Sequence, residues 1–336
     1  MRGRRLPSAG SNHERAASYT APITLFLQRC FDAFSNGIIY GSVAVALVIV
    51  YKSSGLLNVA QGEIATVSAY VGLVLHTPAT PALAGTGLAA ALVPFSPLPL
   101  WASAVGAMVT GALLGAGIER FVVRRVATRS RFGVISVAVG VLLLMNGLAE
   151  GVWKPVVRGF PPLFPNRPDD YLDVAGARLR YVAVGTTLTM TAVLATLAYV
   201  LRRTKLGLSF RAVSSNAESS RLSGIRVGRV LTTGWAMAGA IGGIAACLVA
   251  PTVLLEPNMM VRVLIFSLVA ATLGGLDSLG GALLGGLLIG VAQTMIAGYV
   301  GVLGSELSLP TAFALTALVL MVRPTGLFGT RNVERV

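Results

Sequence analysis

The chain has 336 residues, of which 54% are hydrophobic and only 12% are charged. A soluble domain carries about 25% charged residues, so this composition excludes an ordinary soluble protein and predicts a polytopic α-helical membrane protein. The formal net charge of +14 comes mostly from arginines in the tails and between apolar runs, which indicates membrane topology and contact with anionic lipid rather than nucleic-acid binding.

The N-terminal segment, residues 1–32, is polar, rich in arginine and serine, and lacks the apolar core of a signal peptide. We expect it to be a disordered basic tail. The first apolar run extends from Ala33 to Tyr51, about 19 residues, which is enough to cross about 30 Å of hydrocarbon. A transmembrane domain over residues 33–322 is therefore predicted.

A polar stretch separates this first run from the next one, residues 64–75. It contains one carboxylate and two amides beside a glycine: Asn58, Gln61, Gly62 and Glu63. Polar groups at membrane depth are tolerated where they line a cavity or are buried in protein. The alternative is an interfacial loop with Glu63 in the first turn of a helix, where a carboxylate is favoured.

The middle of the chain alternates apolar runs with loops. Five prolines between His76 and Pro99 exclude a continuous helix there. Spans are predicted for residues 100–118 and 133–148, and the five arginines between them place that connection in the cytoplasm. Residues 150–180 include Pro161, Pro162, Pro165 and Pro168, which predict an irregular loop on the opposite side of the membrane.

Residues 202–229 form the one long polar segment of the second half of the chain, between spans predicted at 181–201 and 231–254. The segment has seven basic residues and a single acid, so it faces the cytoplasm. Asn216 can cap a helix and Gly224 can end it, which predicts a short helix from about Asn216 to Ser223.

The spacing of this short helix places Ala217, Ser220 and Gly224 on one face, where small side chains let the backbone of another protein approach. Glu218 and Arg221 lie three residues apart on another face, where they can pair. The helix is therefore a candidate docking element. The alternative is a solvated basic loop that only obeys the topology rule.

Two further spans are predicted within residues 264–304, and a last one at 309–322 precedes a cytoplasmic tail, residues 323–336. Glycines four or five residues apart favour close packing of one of these helices at the centre of the bundle: Gly281, Gly285, Gly286 and Gly290. The predicted fold is an all-α transmembrane bundle of about eight to nine spans, with a possible re-entrant segment. The count leaves the side of the N-terminus open, and a repeat of the two halves is hinted at without being demonstrable.

The sequence offers no catalytic set. Its histidines are His13 and His76, so neither a metal-ligand group nor a Ser/His/Asp arrangement can be built, and no G-x-x-x-x-G-K-[ST] motif for ATP phosphates is present. We therefore expect a chain that is not an enzyme and holds no cofactor.

Four motifs in order resemble one family. The N-x-A-x-G-E segment at 58–63, the E-S-S-x-x-x-G-I segment at 218–225, the L-G-G-x-x-S-x-x-G segment at 273–281 and the ending R-P-T-G-L-F-G are similar to those of branched-chain amino acid permeases, which are inner-membrane subunits of ATP-binding-cassette importers. Serine stands at 219 and 220, where importers usually have alanine, and this change keeps the residues small.

The resemblance implies roles for the two polar segments. The short helix would be the coupling helix that sits in a groove of a cytosolic ATPase, with the contact residues Asn216, Ala217, Glu218, Ser220, Arg221, Gly224 and Ile225. The segment with Asn58, Gln61, Gly62 and Glu63 would be a broken or re-entrant helix start that borders the translocation path. We also expect the seam with a second permease to lie near this segment.

The resemblance further implies the partners of the chain in a bacterial inner (plasma) membrane. These are a second, related permease (a heterodimer, with a homodimer as the alternative), two cytosolic ATPases that bind ATP and magnesium, and an extracytoplasmic binding protein. Residues 150–180 would be either the docking surface of the binding protein or a plain connector. The substrate would be a branched-chain or related amino acid, although relatives also carry amides or urea.

Two other classes of function are alternatives. A secondary transporter or channel would be favoured by acids at mid-span, whereas Glu63 and Asp277 fall near predicted span ends. An intramembrane enzyme is disfavoured because neither a nucleophile nor a base is present.

Overall fold

The computed structural model describes residues 10–78, 96–127, 131–174, 176–300 and 304–329. The apolar runs of this part form eleven helices, and a single hairpin supplies its strands. The helices are α1 (Gly10–Ser54), α2 (Gln61–His76), α3 (Leu100–Ile118, continued by a π-helical turn, Glu119–Val123, and by Arg124–Ala127), α4 (Arg131–Trp153), α5 (Tyr181–Arg203), α6 (Lys205–Ser215), α7 (Ala217–Leu222), α8 (Val227–Val253), α9 (Val261–Gly274), α10 (Leu279–Tyr299) and α11 (Gly304–Val322). The strands are β1 (Tyr171–Val174) and β2 (Ala177–Arg180).

Six helical segments of the described part are long and apolar enough to cross a membrane: Ile23–Ser54, Leu100–Val126, Ser136–Trp153, Tyr181–Arg203, Val227–Val253 and Leu279–Tyr299. Two shorter apolar helices, Val261–Gly274 and Glu306–Val322, accompany them. The predicted all-α polytopic membrane bundle is therefore confirmed.

The two ends of α1 lie on opposite sides of the bundle. Near its N-terminus, the Gln28 side chain accepts a hydrogen bond from the backbone N–H of Arg178 in the hairpin, at 2.9 Å. Near its C-terminus, Lys52 lines the same cavity as Arg202 and Arg211 of the basic segment 202–229. The positive-inside rule predicts that this segment lies in the cytoplasm, and on that prediction α1 begins on the extracytoplasmic side.

The structure differs from the sequence expectation at the N-terminus. Residues 1–32 were expected to be a disordered tail, whereas α1 already begins at Gly10, and residues 1–9 lie outside the described residues. The apolar positions Ile23, Leu25 and Phe26 extend the apolar character of the helix upstream of Ala33, and their side chains are exposed. A helix that is anchored further along grows into such a stretch because elongation is cheap once a helix is nucleated.

A second difference concerns residues 150–180, which were expected to be irregular throughout. Here α4 runs to Trp153, and β1 and β2 form an antiparallel hairpin in which Tyr171 pairs with Arg180 and Val174 with Ala177. Gly176, at the turn, has a φ of +81°, a conformation that glycine adopts without strain. The hairpin was not predicted because the prolines of the segment indicated an irregular loop.

Helices α1, α2 and α3 form one triplet and α8, α9 and α10 a second, and the two triplets make equivalent contacts with each other. Helix α1 crosses α10 where Gly37 and Gly41 meet Gly290 and Gly286. In the same way α8 crosses α3 where Gly239 meets Gly111 and Gly243 meets Ala107. A side chain at any of these glycines would collide with the backbone of the partner helix, so the absence of side chains is what permits both crossings.

The second helix of each triplet is too short to span a bilayer. Helices α2 and α9 have 16 and 14 residues, about 24 Å and 21 Å at 1.5 Å per residue, against about 30 Å of hydrocarbon. Their N-termini meet inside the bundle, where a side chain at Gly62 would touch Leu264 at 3.3 Å. Both helices therefore begin near the middle of the membrane.

The two half-length helices leave that meeting point in opposite directions. The carbonyl of Leu75, at the end of α2, accepts a hydrogen bond from the N–H of Leu98, at the end of the bundle where α1 begins. The carbonyl of Gly274, at the end of α9, accepts one from the N–H of Phe328, at the opposite end of the bundle. The two triplets thus form an inverted repeat.

Candidate functional site

The polar segment between α1 and α2 is enclosed by the protein. Asn58, Gln61 and Glu63 are 2%, 1% and 3% exposed. The side-chain amide of Asn58 donates to Gln61 Oε1 at 3.0 Å, and Gln61 Nε2 donates to the carbonyl of Ala238 in α8 at 2.7 Å. The two amides therefore satisfy one another and tie the start of α2 to the middle of α8, as buried polar groups require.

Gly62 and Gly242 make this arrangement possible. A side chain at Gly62 would press on Leu264 of α9, and one at Gly242 would come within 2.7 Å of the Gln61 amide nitrogen. Both glycines leave room for the neighbouring chain at the meeting point of the half-length helices.

Glu63 faces a second pair of amides. Asn146 Nδ2, in α4, donates to Asn258 Oδ1 at 2.7 Å and lies 3.5 Å from Glu63 Oε2, the limit of a hydrogen bond. About twelve residues of α2 separate Glu63 from Leu75, so this layer lies about 18 Å below the extracytoplasmic end of the helix. It is therefore near mid-membrane.

Asn258 precedes α9 in the same way that Asn58 precedes α2. Each stands three residues before its helix, and each backbone carbonyl accepts from the first helical N–H, at 3.2 Å for Gln61 and 3.1 Å for Val261. Asn58 is buried, however, whereas Asn258 is exposed. The same turn thus occurs in both halves of the repeat, with its asparagine buried before α2 and exposed before α9.

Arg262 extends this exposed polar face. Its side chain is exposed at the start of α9, with Nη2 3.4 Å from Ser308 Oγ and the guanidinium 5.9 Å from the centre of the Phe266 ring. A charged side chain at this depth is costly against lipid. Asn146, Asn258 and Arg262, called the mid-membrane polar face below, therefore mark a surface that faces water or protein.

Sequence reasoning missed the mid-membrane polar face and expected the seam with a second permease near Asn58–Glu63. In the structure those residues are covered by α4, α8 and α9 of their own chain, so they form no outer surface. The signal that could have pointed to the outer face is the asparagine three residues before an apolar helix, which occurs twice.

The basic segment 202–229 folds into the amphipathic helix α6 and the short helix α7. Asn216 caps α7, since its Oδ1 accepts from the N–H groups of Glu218 at 3.0 Å and Ser219 at 2.9 Å. Gly224 ends the turn with a φ of +81°. The short helix expected from Asn216 to Ser223 is thus present as Ala217–Leu222.

The exposed face of α7 is not the small face that the sequence suggested. Ser220, at its centre, is 5% exposed, and its carbonyl accepts from the N–H of Ile225 at 2.9 Å. Ala217 and Gly224 remain exposed, whereas the most accessible apolar side chain is Leu222, at 88%. A partner that docks on α7 therefore meets Leu222, flanked by the exposed Glu218 and Arg221.

Helix α6 anchors α7 to the bundle. Phe210 and Val213 are buried, and a side chain at Gly234 of α8 would contact the Phe210 ring at 3.3 Å. Gly207 lies directly against the backbone of Leu201 at the end of α5. Helix α6 therefore connects α7 to α5 and α8.

A partly buried ion pair at the end of α3 is hydrogen-bonded to the start of α8. Arg124 Nη2 lies 2.6 Å from Glu119 Oε2 and also donates to the carbonyl of Gly228 at 2.5 Å, while Thr232 Oγ1 donates to the same carboxylate oxygen at 2.7 Å. Residues five apart lie on different faces of an α-helix, and the π-helical turn at Glu119–Val123 brings this pair together.

A polar cavity of about 340 Å³ opens at the other end of the bundle. It is bordered by α1, the end of the hairpin, α5, α8 and α10. Its charged lining residues are Arg29, Asp32 and Arg180. The cavity lies beside the loop 154–170, on the side opposite to α7.

The helix-packing glycines predicted in α10 face two neighbours. Gly281 and Gly285 lie against Gly274 and Ala270 of α9, and Gly286 and Gly290 lie against α1. Helix α10 is thus closely packed on two sides.

Comparison with known proteins gives one consistent result. Residues 30–323 match the family model described as branched-chain amino acid transport system / permease component. The high-affinity branched-chain amino acid transport system permease protein LivH of Escherichia coli (strain K12) is 29% identical over 322 residues, which cover 93% of this chain and 98% of that protein. The corresponding protein BraD of Pseudomonas aeruginosa is 27% identical over 313 residues, with the same two coverages of 93% and 98%.

A probable branched-chain amino acid transport permease protein LivH of Methanocaldococcus jannaschii is 26% identical over 307 residues, 88% of this chain and 91% of that protein. Among solved structures, PsaBC from Streptococcus pneumoniae in complex with Fab aligns with 88% of this chain and 91% of that chain at 14% identity. Its TM-score of 0.44 is too low to establish a shared fold.

Proposed function

Since the chain belongs to the family of permease components of branched-chain amino acid transport systems, we propose that it is the membrane subunit of an ATP-binding-cassette importer for a branched-chain or related amino acid. The substrate would pass from an extracytoplasmic binding protein to the cytoplasm by alternating access. The chain is a multi-pass membrane protein of the bacterial inner membrane and a translocation subunit rather than an enzyme.

The observation that carries this proposal is the meeting of α2 and α9 at mid-membrane. Two half-length helices of an inverted repeat, with polar groups at their N-termini, are the arrangement from which transporters build a path that opens alternately to either side. Asn58 and Gln61 hold the inner turn in place, and Asn258 with Arg262 presents the outer turn.

ATP hydrolysis would belong to two cytosolic partner subunits, which would hold ATP and magnesium, because the sequence has no phosphate-binding loop. The exposed Leu222 of α7 supports docking of such a subunit, with Glu218 and Arg221 as its polar rim. This chain would itself hold no cofactor.

The second permease would cover the mid-membrane polar face, because Asn146, Asn258 and Arg262 are unfavourable against lipid. One chain would then form one wall of the path, and a related chain in a heterodimer would form the other. The binding protein would dock over the loop 154–170 and the cavity that holds Arg29, Asp32 and Arg180.

Reconstitution tests the proposal. The tagged chain is isolated from its native host in mild detergent with the subunits that co-elute, and the complex is placed in vesicles with the binding protein outside. We expect leucine uptake that requires ATP inside and persists when ion gradients are collapsed. Uptake driven by a proton or sodium gradient without ATP would instead establish a secondary transporter, and recovery of an active monomer would exclude the two-permease arrangement.

A further inference from the structure

A second cavity lies at the cytoplasmic end of the bundle, between α1, α5, α6 and α10. Its volume is about 380 Å³. It is separate from the mid-membrane polar face and from the exposed tip of α7, and no step of the proposed transport uses it.

The walls of this cavity are mainly apolar. Leu194, Leu197 and Leu201 line it from α5, Phe210 from α6 and Leu283 from α10. Since α5 and α10 are both membrane-spanning, the apolar walls lie at the level of the inner leaflet. Such walls suit a hydrocarbon chain, because removing methylene groups from water is favourable.

The rim of the cavity is basic. Lys52, Arg202 and Arg211 border it, and none of the described residues that line it is acidic. The Lys52 ammonium donates to the backbone carbonyl of Asp277 at 2.9 Å, and Arg211 Nη1 lies 3.5 Å from the carbonyl of Leu201. These contacts orient two of the cations and leave donors on each for an anion, since an ammonium has three donors and a guanidinium has five.

We propose that this cavity binds an anionic glycerophospholipid of the cytoplasmic leaflet, with an acyl chain among the leucines and the phosphate between Lys52, Arg202 and Arg211. Basic pockets between helices on the cytoplasmic side are suited to anionic headgroups, and that leaflet is rich in anionic lipid. A protein segment would need an acidic group to match the same rim.

The site has a structural consequence for the coupling region. Gly207 and Phe210 of α6 form part of the cavity wall, and α6 carries α7. A bound lipid therefore contacts α1, α5, α6 and α10 at once, and it stabilises the position of α6 against the bundle.

Native mass spectrometry of the purified full-length chain tests the proposal. The probes are phosphatidylglycerol and phosphatidylcholine with identical acyl chains, titrated in the same detergent. We expect one phosphatidylglycerol to be retained at least about tenfold more tightly than phosphatidylcholine, since each basic residue near an anionic lipid contributes about 1 kcal/mol. The Arg202→Gln/Arg211→Gln variant should lose this preference, and Ala198→Trp, which fills the cavity without a change of charge, should lose the bound lipid.

The matched control is Arg203→Gln/Lys205→Gln, which removes two charges from exposed positions of the same segment that do not line the cavity. It should retain the lipid. An equal loss in the control, or equal retention of the two lipids by the unmodified chain, would refute a specific site. Efficient cross-linking of an Ala198→Cys variant to a second permease chain would show that protein covers the cavity, and it would refute the proposal as well. Because all these readouts measure binding rather than transport, they are independent of the proposed function.

Discussion

At the scale of single residues, Asn58 and Asn258 occupy equivalent turns but differ in exposure. The polar side chains of the first turn were recognised in the sequence because they interrupt an apolar run. Asn146 and Arg262 escaped notice because each stands alone in an apolar stretch, and hydropathy does not record which face of a helix a side chain occupies. Only the packing of α2 against α8 shows that Gln61 points inward while Asn258 faces out.

This difference predicts which positions a water-soluble thiol reagent reaches. In a Cys30→Ser background, Asn258→Cys should react in membranes, and its rate should differ between nucleotide-free and ATP-trapped transporter. Gln61→Cys should be unreactive in the conformation described here, because Gln61 is 1% exposed. Labelling rates followed by mass shift provide the measurement.

The matched control is Leu144→Cys, on the same helix as Asn146. Leu144 is 55% exposed, but it is apolar and lies two residues before Asn146, on the opposite face of α4, which is expected to face lipid, where a thiolate does not form. Reaction of positions 144 and 258 at the same rate would contradict a distinct aqueous or subunit-facing surface.

The ion pair at the base of α3 supports a second prediction at this scale. Arg124→Ala leaves the Glu119 carboxylate, 2% exposed, without its counter-charge. Since the Arg124 side chain is itself 38% exposed, we expect the free energy of unfolding to fall by about 1–3 kcal/mol, less than for a fully buried ion pair. The midpoint of thermal unfolding in detergent should fall. Arg125→Ala, an exposed neighbour, should change it little, and equal midpoints for the two variants would show that the pair does not stabilise the fold.

At the scale of the elements, the crossing of α3 and α8 depends on glycine. Gly111→Ala places a methyl group against the backbone of Gly239, so the helices must separate. The free energy of unfolding should fall by about 1–3 kcal/mol, as is typical of an overpacked core, and the unfolding temperature should fall with it. Gly117→Ala, on the same helix, has nothing within 4 Å and should be neutral or slightly stabilising. A similar loss in both variants would mean that glycine acts through helix propensity instead of through packing.

Helix α7 carries the prediction for coupling. Leu222→Asp should reduce co-purification of the ATPase subunits at least about tenfold and abolish uptake, because it places a charge where an apolar anchor is expected to enter a groove. Leu208→Asp, the same change at an exposed leucine of α6, should leave the ATPases bound. Substitution of Gly224 is a poorer test, since its φ of +81° makes any side chain strain the turn. Retention of the ATPases by Leu222→Asp would exclude α7 as their contact.

The sequence predicted most helices but could not locate where they break. The runs that became α3, α5, α8 and α10 were recognised as spans because length and hydropathy suffice for a helix that crosses the whole membrane. Helices α2 and α9 both begin near mid-membrane, and a run of 16 or 14 residues is recognised only as a short span. Their identity as half-length helices follows from contacts between residues about 200 positions apart, which a single sequence does not reveal.

At the scale of the whole molecule, the inverted repeat and the positive-inside rule together predict the side of each described loop. A cysteine at Asp173, in the hairpin, should be labelled from outside intact cells by an impermeant reagent. A cysteine at Ser223, beside α7, should be labelled only after permeabilisation. Both are made in the Cys30→Ser background and detected on gels. Labelling of both positions from the same side would contradict the placement of α1 with its N-terminus outside.

The interleaving of the two triplets has a consequence for biogenesis. Helix α1 completes its contacts on α10, and α3 completes its contacts on α8, so neither triplet encloses its own half-length helix until the other has been synthesised. On the ribosome, Gln61 at the start of α2 is synthesised 177 residues before Ala238 of α8, so its buried amide at first lacks the carbonyl that accepts its hydrogen bond. A nascent chain stalled after α5 would therefore expose an unmatched polar helix to the insertion machinery and become a substrate for membrane proteases.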